Sequence, residues 1–588
     1  MEKNKIIFND IEEIVTLNTT QLESPSIRND DDEENQTRIR GGSNTSQQRP
    51  TNPRSDQCHN NNKFMRSKII QSLLMISNKI DNMGVETTGI DRVPPYERGT
   101  MTKQFWQVAG YWIAATGSLS SMSSFLLGPL VFNLTFRETM TSGMVSMLIG
   151  CLVAAYCSTM GPQSGCRQMV TARYLFGWWS VKFVALAAIL GVLGWSIVNC
   201  VVGGEMLAAI SHDKVPISVG IVIVTICSFF VAVFGIKQVL RVETLISIPV
   251  IITFTLLYIS SSDKFEFINK FHNDTLINDA TMRGNWLSFF SLCYSITSTW
   301  GSITSDYYIL FPEETPKYQV FLLTFLGTAI PTLFVGTLGV LLSSIAMSYP
   351  PWMDEYEQHG MGGLLWAGFE RWNAFGKFCV VILILSLISN NIINTYSAAF
   401  SMQLSSVWAT RIPRWFWCIV GTMIYFICAI VGRNHFSTIL GNFLPMIGYW
   451  ISMYFILLVE ENEIFRRFFL HLYTKEFPPL SASASALDDK PERFNIHTLK
   501  RNHQRKTSRY NWDKWDDYDT LTKGYAATFA FLCGVAGVVV GMAQVYWTGP
   551  LARKLGDYGG DIAMWLSMGI SGLVFPLCRY WELSHYGR

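Results

Sequence analysis

Charge is the scarcest ingredient of this 588-residue chain: Asp, Glu, Lys and Arg make up 15% of it, where soluble domains carry roughly a quarter. The shortage is regional. Residues 1–100 hold 28 charged side chains and residues 460–523 hold 23, leaving 39 over the other 424 residues, too few to coat a water-soluble fold. A net charge of +2 excludes a nucleic-acid partner, which requires a dense basic face. No CxxC pair exists among the 12 cysteines; all but Cys58 lie in or beside apolar segments and read as small hydrophobic residues rather than a disulfide or metal framework. The nine histidines form neither HExxH nor any i, i+4 pair, and there is no P-loop, GxSxG or kinase motif. The sequence therefore points to no enzyme, no metal and no cofactor.

What is abundant is apolar: 49% of residues are hydrophobic and mean hydropathy is +0.22. Twelve long apolar runs follow one another near residues 105–132, 139–160, 183–210, 216–235, 238–259, 286–310, 320–348, 375–402, 413–432, 435–459, 524–547 and 560–582. A helix needs about 20 such residues to cross a bilayer, so the expected fold is an all-α polytopic membrane protein with 12 transmembrane helices. Residues 1–100, rich in Asn, Ser, Gln and acids, read as a disordered cytoplasmic tail without a cleavable signal peptide. Residues 101–459 read as a ten-helix transport core, 460–523 as a cytoplasmic connector, and 524–588 as two further helices with a short C-terminal tail. With both termini inside, the inner segments from residue 92 onward hold 25 Lys and Arg against ten outside, which sets that orientation. The run from Lys500 to Arg509 could touch anionic lipid, and Asn273-Asp-Thr275 is a glycosylation sequon in an expected outer loop.

Two runs interrupt themselves. The first contains Thr116, Gly117, Ser118, Ser120, Ser121, Ser123 and Ser124 before Gly128 and Pro129; the sixth contains Ser295, Thr297, Ser298, Thr299, Trp300, Gly301, Ser302, Thr304 and Ser305. Hydroxyl-rich runs leave backbone groups free at membrane depth, tolerated only inside protein or around a cavity. Paired breaks five spans apart mark a five-plus-five inverted-repeat transporter of the sodium-symporter-like kind, with the two C-terminal helices as additions. Close helix packing by small residues is the alternative reading.

Trp195 and Trp300 fall near the middle of their spans rather than at an interface, where an indole offers a stacking plane for a planar heterocycle; ordinary core filling is the alternative. Asn199, about one turn after Trp195, shares its side of the helix. Asn390, Asn391 and Asn394 cluster in the eighth span, able to bind a ring edge or to bridge helices. Glu205 is the intramembrane acid to explain: a substrate contact, a proton carrier or a scaffold pin. Asp306 reads as an interface residue.

The stretches Leu127-Gly-Pro-Leu130, Gly161-Pro-Gln-Ser-Gly-Cys-Arg-Gln-Met169, Arg173-Tyr-Leu-Phe-Gly177, Gly194-Trp-Ser-Ile-Val-Asn199, Ser305-Asp-Tyr307 and Asn390-Asn-Ile-Ile-Asn-Thr-Tyr-Ser397 resemble the fungal purine-cytosine permease branch of the nucleobase cation symporter 1 family, from about Val93 to the C-terminus. Gly84-Val-Glu-Thr-Thr-Gly-Ile90, Gly177-Trp-Trp179, Gly203-Gly-Glu205 and Asn434-His-Phe-Ser-Thr-Ile-Leu-Gly-Asn442 are similar to its vitamin B6-carrying members in the plasma membrane. The resemblance implies that Trp195 and Trp300 sandwich the ring, that Asn199 binds it, and that Asn390 and Asn394, with Asn391 between them, set specificity. It also implies a cation site between the first break and the eighth-span hydroxyls, here Ser386 and Ser389, in a branch whose fungal members generally use protons; Glu205, as an intramembrane acid, is the coupling candidate that the residues themselves offer. Ile393 stands where nucleobase carriers often have proline, and Glu205 where they often have glutamine. Both departures favour a cationic or zwitterionic pyridine over a nucleobase. The expected activity is proton-coupled import of vitamin B6 (pyridoxine, pyridoxal, pyridoxamine) across the plasma membrane, with a purine or cytosine permease or a transporter-like nutrient sensor as alternatives. The expected partners are a small planar heterocycle, protons and the lipid bilayer.

Overall fold

A computed structural model describes residues 89–234, 236–271, 278–406, 408–477 and 509–588. The twelve apolar runs are largely helical there, in one to three pieces. In chain order the main helices are α1 (Met101–Thr116), α2 (Leu119–Phe125), α3 (Phe136–Ser158), α4 (Arg173–Ser211), α5 (Ile217–Ala232), α6 (Ile236–Ser261), α7 (Asp279–Ser298), α8 (Lys317–Ala346), α9 (Pro350–Phe369), α10 (Asn373–Leu404), α11 (Arg414–Gly432), α12 (Phe436–Glu460), α13 (Tyr525–Gly541) and α14 (Ala563–Tyr586). Among the described residues seven helical segments meet the length and hydropathy needed to cross a membrane, and three shorter apolar helices accompany them. Leu190 on α4, Phe230 on α5, Leu245 on α6 and Leu573 and Leu577 on α14 stand exposed, a belt of large apolar side chains suited to hydrocarbon rather than water.

Helix α4 packs against α10, α3 against α7 and α8, α1 against α6, and α12 to α14 against one another. The α3–α7 approach needs a missing side chain: a Cβ on Gly150 would come within 2.8 Å of the Ser298 nitrogen.

Both hydroxyl-rich runs are interrupted. Helix α1 closes where the Gly117 N–H reaches the Ile113 carbonyl at 3.0 Å, Ser118 is extended (φ −110°, ψ 162°), and α2 restarts at Leu119. After α7 the chain continues as a 3-10 turn, Thr299–Ser302, a non-helical Ile303 and a second turn, Thr304–Tyr307. The hydroxyls draw the backbone into these breaks: Ser118 donates to the Ala115 carbonyl at 3.1 Å, Ser302 to that of Thr299 at 2.7 Å.

The structure differs from the sequence reading in three places. Helix α9 falls between the apolar runs, because Asp354, Glu355, Glu357 and His359 hide its apolar second half. Residues 89–100 are not tail-like: Val93 N donates to Gly165 O at 2.9 Å and Ile90 is buried. Residues 509–523 are packed as well, with Tyr510 stacked on Trp512 at 4.5 Å and the Arg466 guanidinium 3.6 Å over the Tyr510 ring. The tail to residue 88, the Asn273 sequon and the basic run through residue 508 lie outside the described residues.

Candidate functional site

Where the two breaks meet α4 and α10 there is a small cavity, which in this conformation has room for little more than a water molecule. Trp195 on α4 and Trp300 in the second break border it, together with Asn390 and Asn394 on α10, Ser120 and Ser121 on α2, Thr299, and apolar Val192, Ile296 and Ile303. The two indoles are 7% and 9% exposed, against 69% for Trp106 at the start of α1, so they face the interior and not lipid. Trp112 meets Trp300 edge-on at 5.7 Å while its indole N–H donates to the Tyr308 hydroxyl at 3.0 Å, which fixes one wall.

The asparagines form one network. Asn390 Nδ2 donates to the Ala115 carbonyl at 2.8 Å, on the last turn before the first break, and Asn394 Nδ2 to Asn390 Oδ1 at 3.4 Å. Asn199 Nδ2 donates to Asn391 Oδ1 at 2.9 Å, and Asn391 Nδ2 to Cys200 Sγ at 3.2 Å. Asn199 and Asn391 thus join α4 to α10 behind the cavity instead of bordering it, the bridging role that amides in a bilayer commonly fill. Ser386 Oγ accepts the Leu119 N–H at 3.2 Å on the far side of the break, and Ser389 donates to Glu243 of α6.

Glu205 is elsewhere. Its carboxylate accepts the Met361 N–H at 3.2 Å and also meets the Gly362 N–H, where α9 kinks at His359 and Gly360. Gly360 has φ +60°, and a Cβ there would lie 2.8 Å from Glu205 Oε2, so a side chain is excluded twice over. Among the described residues no carboxylate borders the cavity, whose lining side chains are uncharged, and Glu205 is not one of them. Asp306, expected at an interface, is buried because residues 160–171 fold beneath it; its Oδ1 accepts the Gln168 N–H at 2.8 Å. Arg167 donates to the Tyr396 hydroxyl at 3.0 Å and covers the Phe400 ring at 3.8 Å. These contacts form a polar layer between the second break, α10 and residues 160–171.

Sequence reasoning passed over Ser120, Ser121 and Thr299 as cavity residues, naming them only as helix breakers, and passed over Glu243 altogether. An acid six residues into the apolar run of α6 was the available signal.

Two interrupted helices meeting around a buried, uncharged cavity in a lipid-belted bundle define a multi-pass membrane transporter rather than an enzyme. Residues 93–464 match the family of permeases for cytosine/purines, uracil, thiamine and allantoin, and the chain belongs to that permease family. It is 68% identical over 529 residues to the vitamin B6 transporter TPN1 of Saccharomyces cerevisiae, covering 89% of this chain and 91% of that one. It is 33% identical over 507 residues to the purine-cytosine permease fcyB of Emericella nidulans, covering 86% and 90%. Among solved structures it shares the fold of Mhp1, a nucleobase-cation-symport-1 family transporter in a closed conformation, with a TM-score of 0.58 at 12% identity over 86% of this chain and 96% of that one.

Proposed function

We propose that this protein imports vitamin B6 across the plasma membrane in symport with protons. Twelve spans are arranged as two inverted five-helix units plus two C-terminal helices, with both termini, the N-terminal tail and the 460–523 connector in the cytoplasm. The observation that carries the substrate class is the cavity itself: two indoles for the faces of a planar ring, amides and hydroxyls for its edges, and no charged side chain. Such a site takes a compact heterocycle in an uncharged or internally balanced form. Likeness to the yeast vitamin B6 transporter over nine-tenths of both chains narrows that class to pyridoxine and its relatives.

Trp195 and Trp300 stack the ring, and Asn390 and Asn394 read its edge. Asn199 and Asn391 hold α4 to α10 so that Trp195 and Asn390 keep their spacing, and Glu205 fastens α9 over the outer end of α4. A purine-cytosine permease is the second reading, favoured by the relative at 33% identity. Uptake of labelled pyridoxine, cytosine and adenine by a cell lacking its own carriers, at several pH values and with a protonophore, tests both. Concentrative, protonophore-sensitive pyridoxine uptake is expected. Nucleobase uptake alone would overturn the substrate, and ligand binding without accumulation would indicate a sensor.

A further inference from the structure

Among the described residues, Glu243 is a carboxyl group inside the bundle that no ion pair reaches and that holds a single hydrogen bond. Glu243 of α6 is fully buried; its Oε2 accepts the Ser389 hydroxyl, and its Oε1 has no hydrogen-bond partner. The titratable groups facing it are the phenols of Tyr111, from α1, and Tyr307, from the second break, stacked on each other at 4.1 Å, with Asp306 beyond them; Ser389 is its contact on α10. An ionised carboxylate in that place has neither a cation nor a full set of donors, an arrangement found in membranes where a charge is meant to change.

Its neighbours tie it to the site. Ser386, three residues before Ser389, receives the Leu119 N–H just after the first break; Asn390, one residue after Ser389, holds the Ala115 carbonyl just before the break and borders the cavity. Three residues within one five-residue stretch of α10 therefore touch the carboxyl group, both ends of the break and the cavity.

We infer that Glu243 takes up and releases the transported proton, with α10 passing its state to the first break and to Asn390. This rests on the proton-coupled import proposed above. A hydronium facing the outer solution gives its proton to Oε1, forming the neutral acid and leaving water; after the bundle reopens inward, a water takes the proton back and the carboxylate is restored. The charge change at Oε2 alters the hold on Ser389, and thereby where α10 places Ser386 and Asn390.

The test uses the full chain, fluorescently tagged to count copies at the membrane, in a cell without pyridoxine uptake of its own. Glu243→Gln, close in shape and unable to ionise, is expected to lose accumulation of label and its response to medium pH and protonophore, while preloaded cells still exchange pyridoxine. Glu243→Asp is expected to recover pH-dependent accumulation with a displaced profile. Glu243→Gln concentrating pyridoxine with the unmodified protein's pH profile would overturn the inference. If Glu243→Gln does not reach the membrane, Glu243→Asp and Ser389→Ala decide: a displaced pH profile in either supports the inference, and unmoved profiles in both overturn it. Should the unmodified protein carry cytosine but not pyridoxine, the substrate reading fails by itself and the same variants are compared with cytosine.

Discussion

The two helix breaks are built differently. The first is two residues long and is held from outside itself: α10 supplies Ser386 to the Leu119 N–H and Asn390 to the Ala115 carbonyl. The second runs through nine residues from Thr299 and holds itself with 3-10 hydrogen bonds, such as Ile303 N to Trp300 O at 2.9 Å and Asp306 N to Ile303 O at 3.0 Å. Its outside moorings go to α3 and residues 160–171, where Thr297 donates to the Met147 carbonyl at 2.7 Å, Ser305 to that of Cys157 at 3.1 Å, and Gln168 Oε1 accepts the Ser305 N–H at 3.2 Å. The first break thus answers to the helix that carries the cavity amides, and the second to α3 and residues 160–171. On the proposed binding mode, a ligand between Trp195 and Trp300 borders both breaks, which lets one binding event act on each.

The sharpest way to break that division is Asn390→Ala. It removes an amide from the cavity, takes one of two donors from the buried Ala115 carbonyl, which keeps Ser118, and leaves the Asn394 amide without Asn390 Oδ1, together about 3 kcal/mol or roughly a hundredfold in uptake efficiency. Uptake measured per copy at the membrane should fall near background. Trp195→Ala and Trp300→Ala should each raise the half-saturating pyridoxine concentration about ten- to a hundredfold, because stacking a ring on an aromatic side chain is worth about 1–3 kcal/mol. The two should then diverge. Trp300 also braces Trp112, so its loss should lower the maximal rate as well as affinity, while the loss of Trp195 should act on affinity alone.

Most of this site was legible in the sequence because its parts violate membrane rules locally. Trp195 and Trp300 lie too deep for interfacial indoles, Asn390 and Asn394 too deep for amides without work to do, and two runs carry too many hydroxyls to continue as helices. Legibility failed where a role depends on a segment far along the chain. Glu205 read equally as a substrate contact, a proton carrier or a scaffold pin, because nothing near it in sequence shows that Met361 and Gly362, more than 150 residues on, turn their N–H groups toward it. Glu243 lies two residues after Arg241 near the start of its run and drew no reading at all. Only the packing of α6 against α1 and α10 shows that it is sealed in. Asp306 was misjudged for the same reason.

Smaller changes refine the contrast between the breaks. Ser386→Ala removes one hydrogen bond to the first break, about 1 kcal/mol or roughly fivefold in uptake efficiency. Ser302→Ala, inside the self-supported second break, should change uptake less than about twofold, since the backbone bond from Ile303 remains. An equal effect of the two would mean that α10 does not govern the first break. The smallest effect should come from Glu205→Gln. The amide oxygen still accepts the Met361 N–H and the change in volume is slight, so a group that pins α9 tolerates the swap within about twofold, the size of a few tenths of a kcal/mol. A group that pairs with a charged ring or carries the proton does not. Pyridoxine uptake by Glu205→Gln across a range of pH should therefore follow the unmodified protein, with Glu205→Ala much weaker because two backbone donors at the kink lose their acceptor. A strong pH-dependent loss in Glu205→Gln would move the acid from the scaffold into the transport cycle and would mean that α4 and α9 separate during opening to bring it to the ligand.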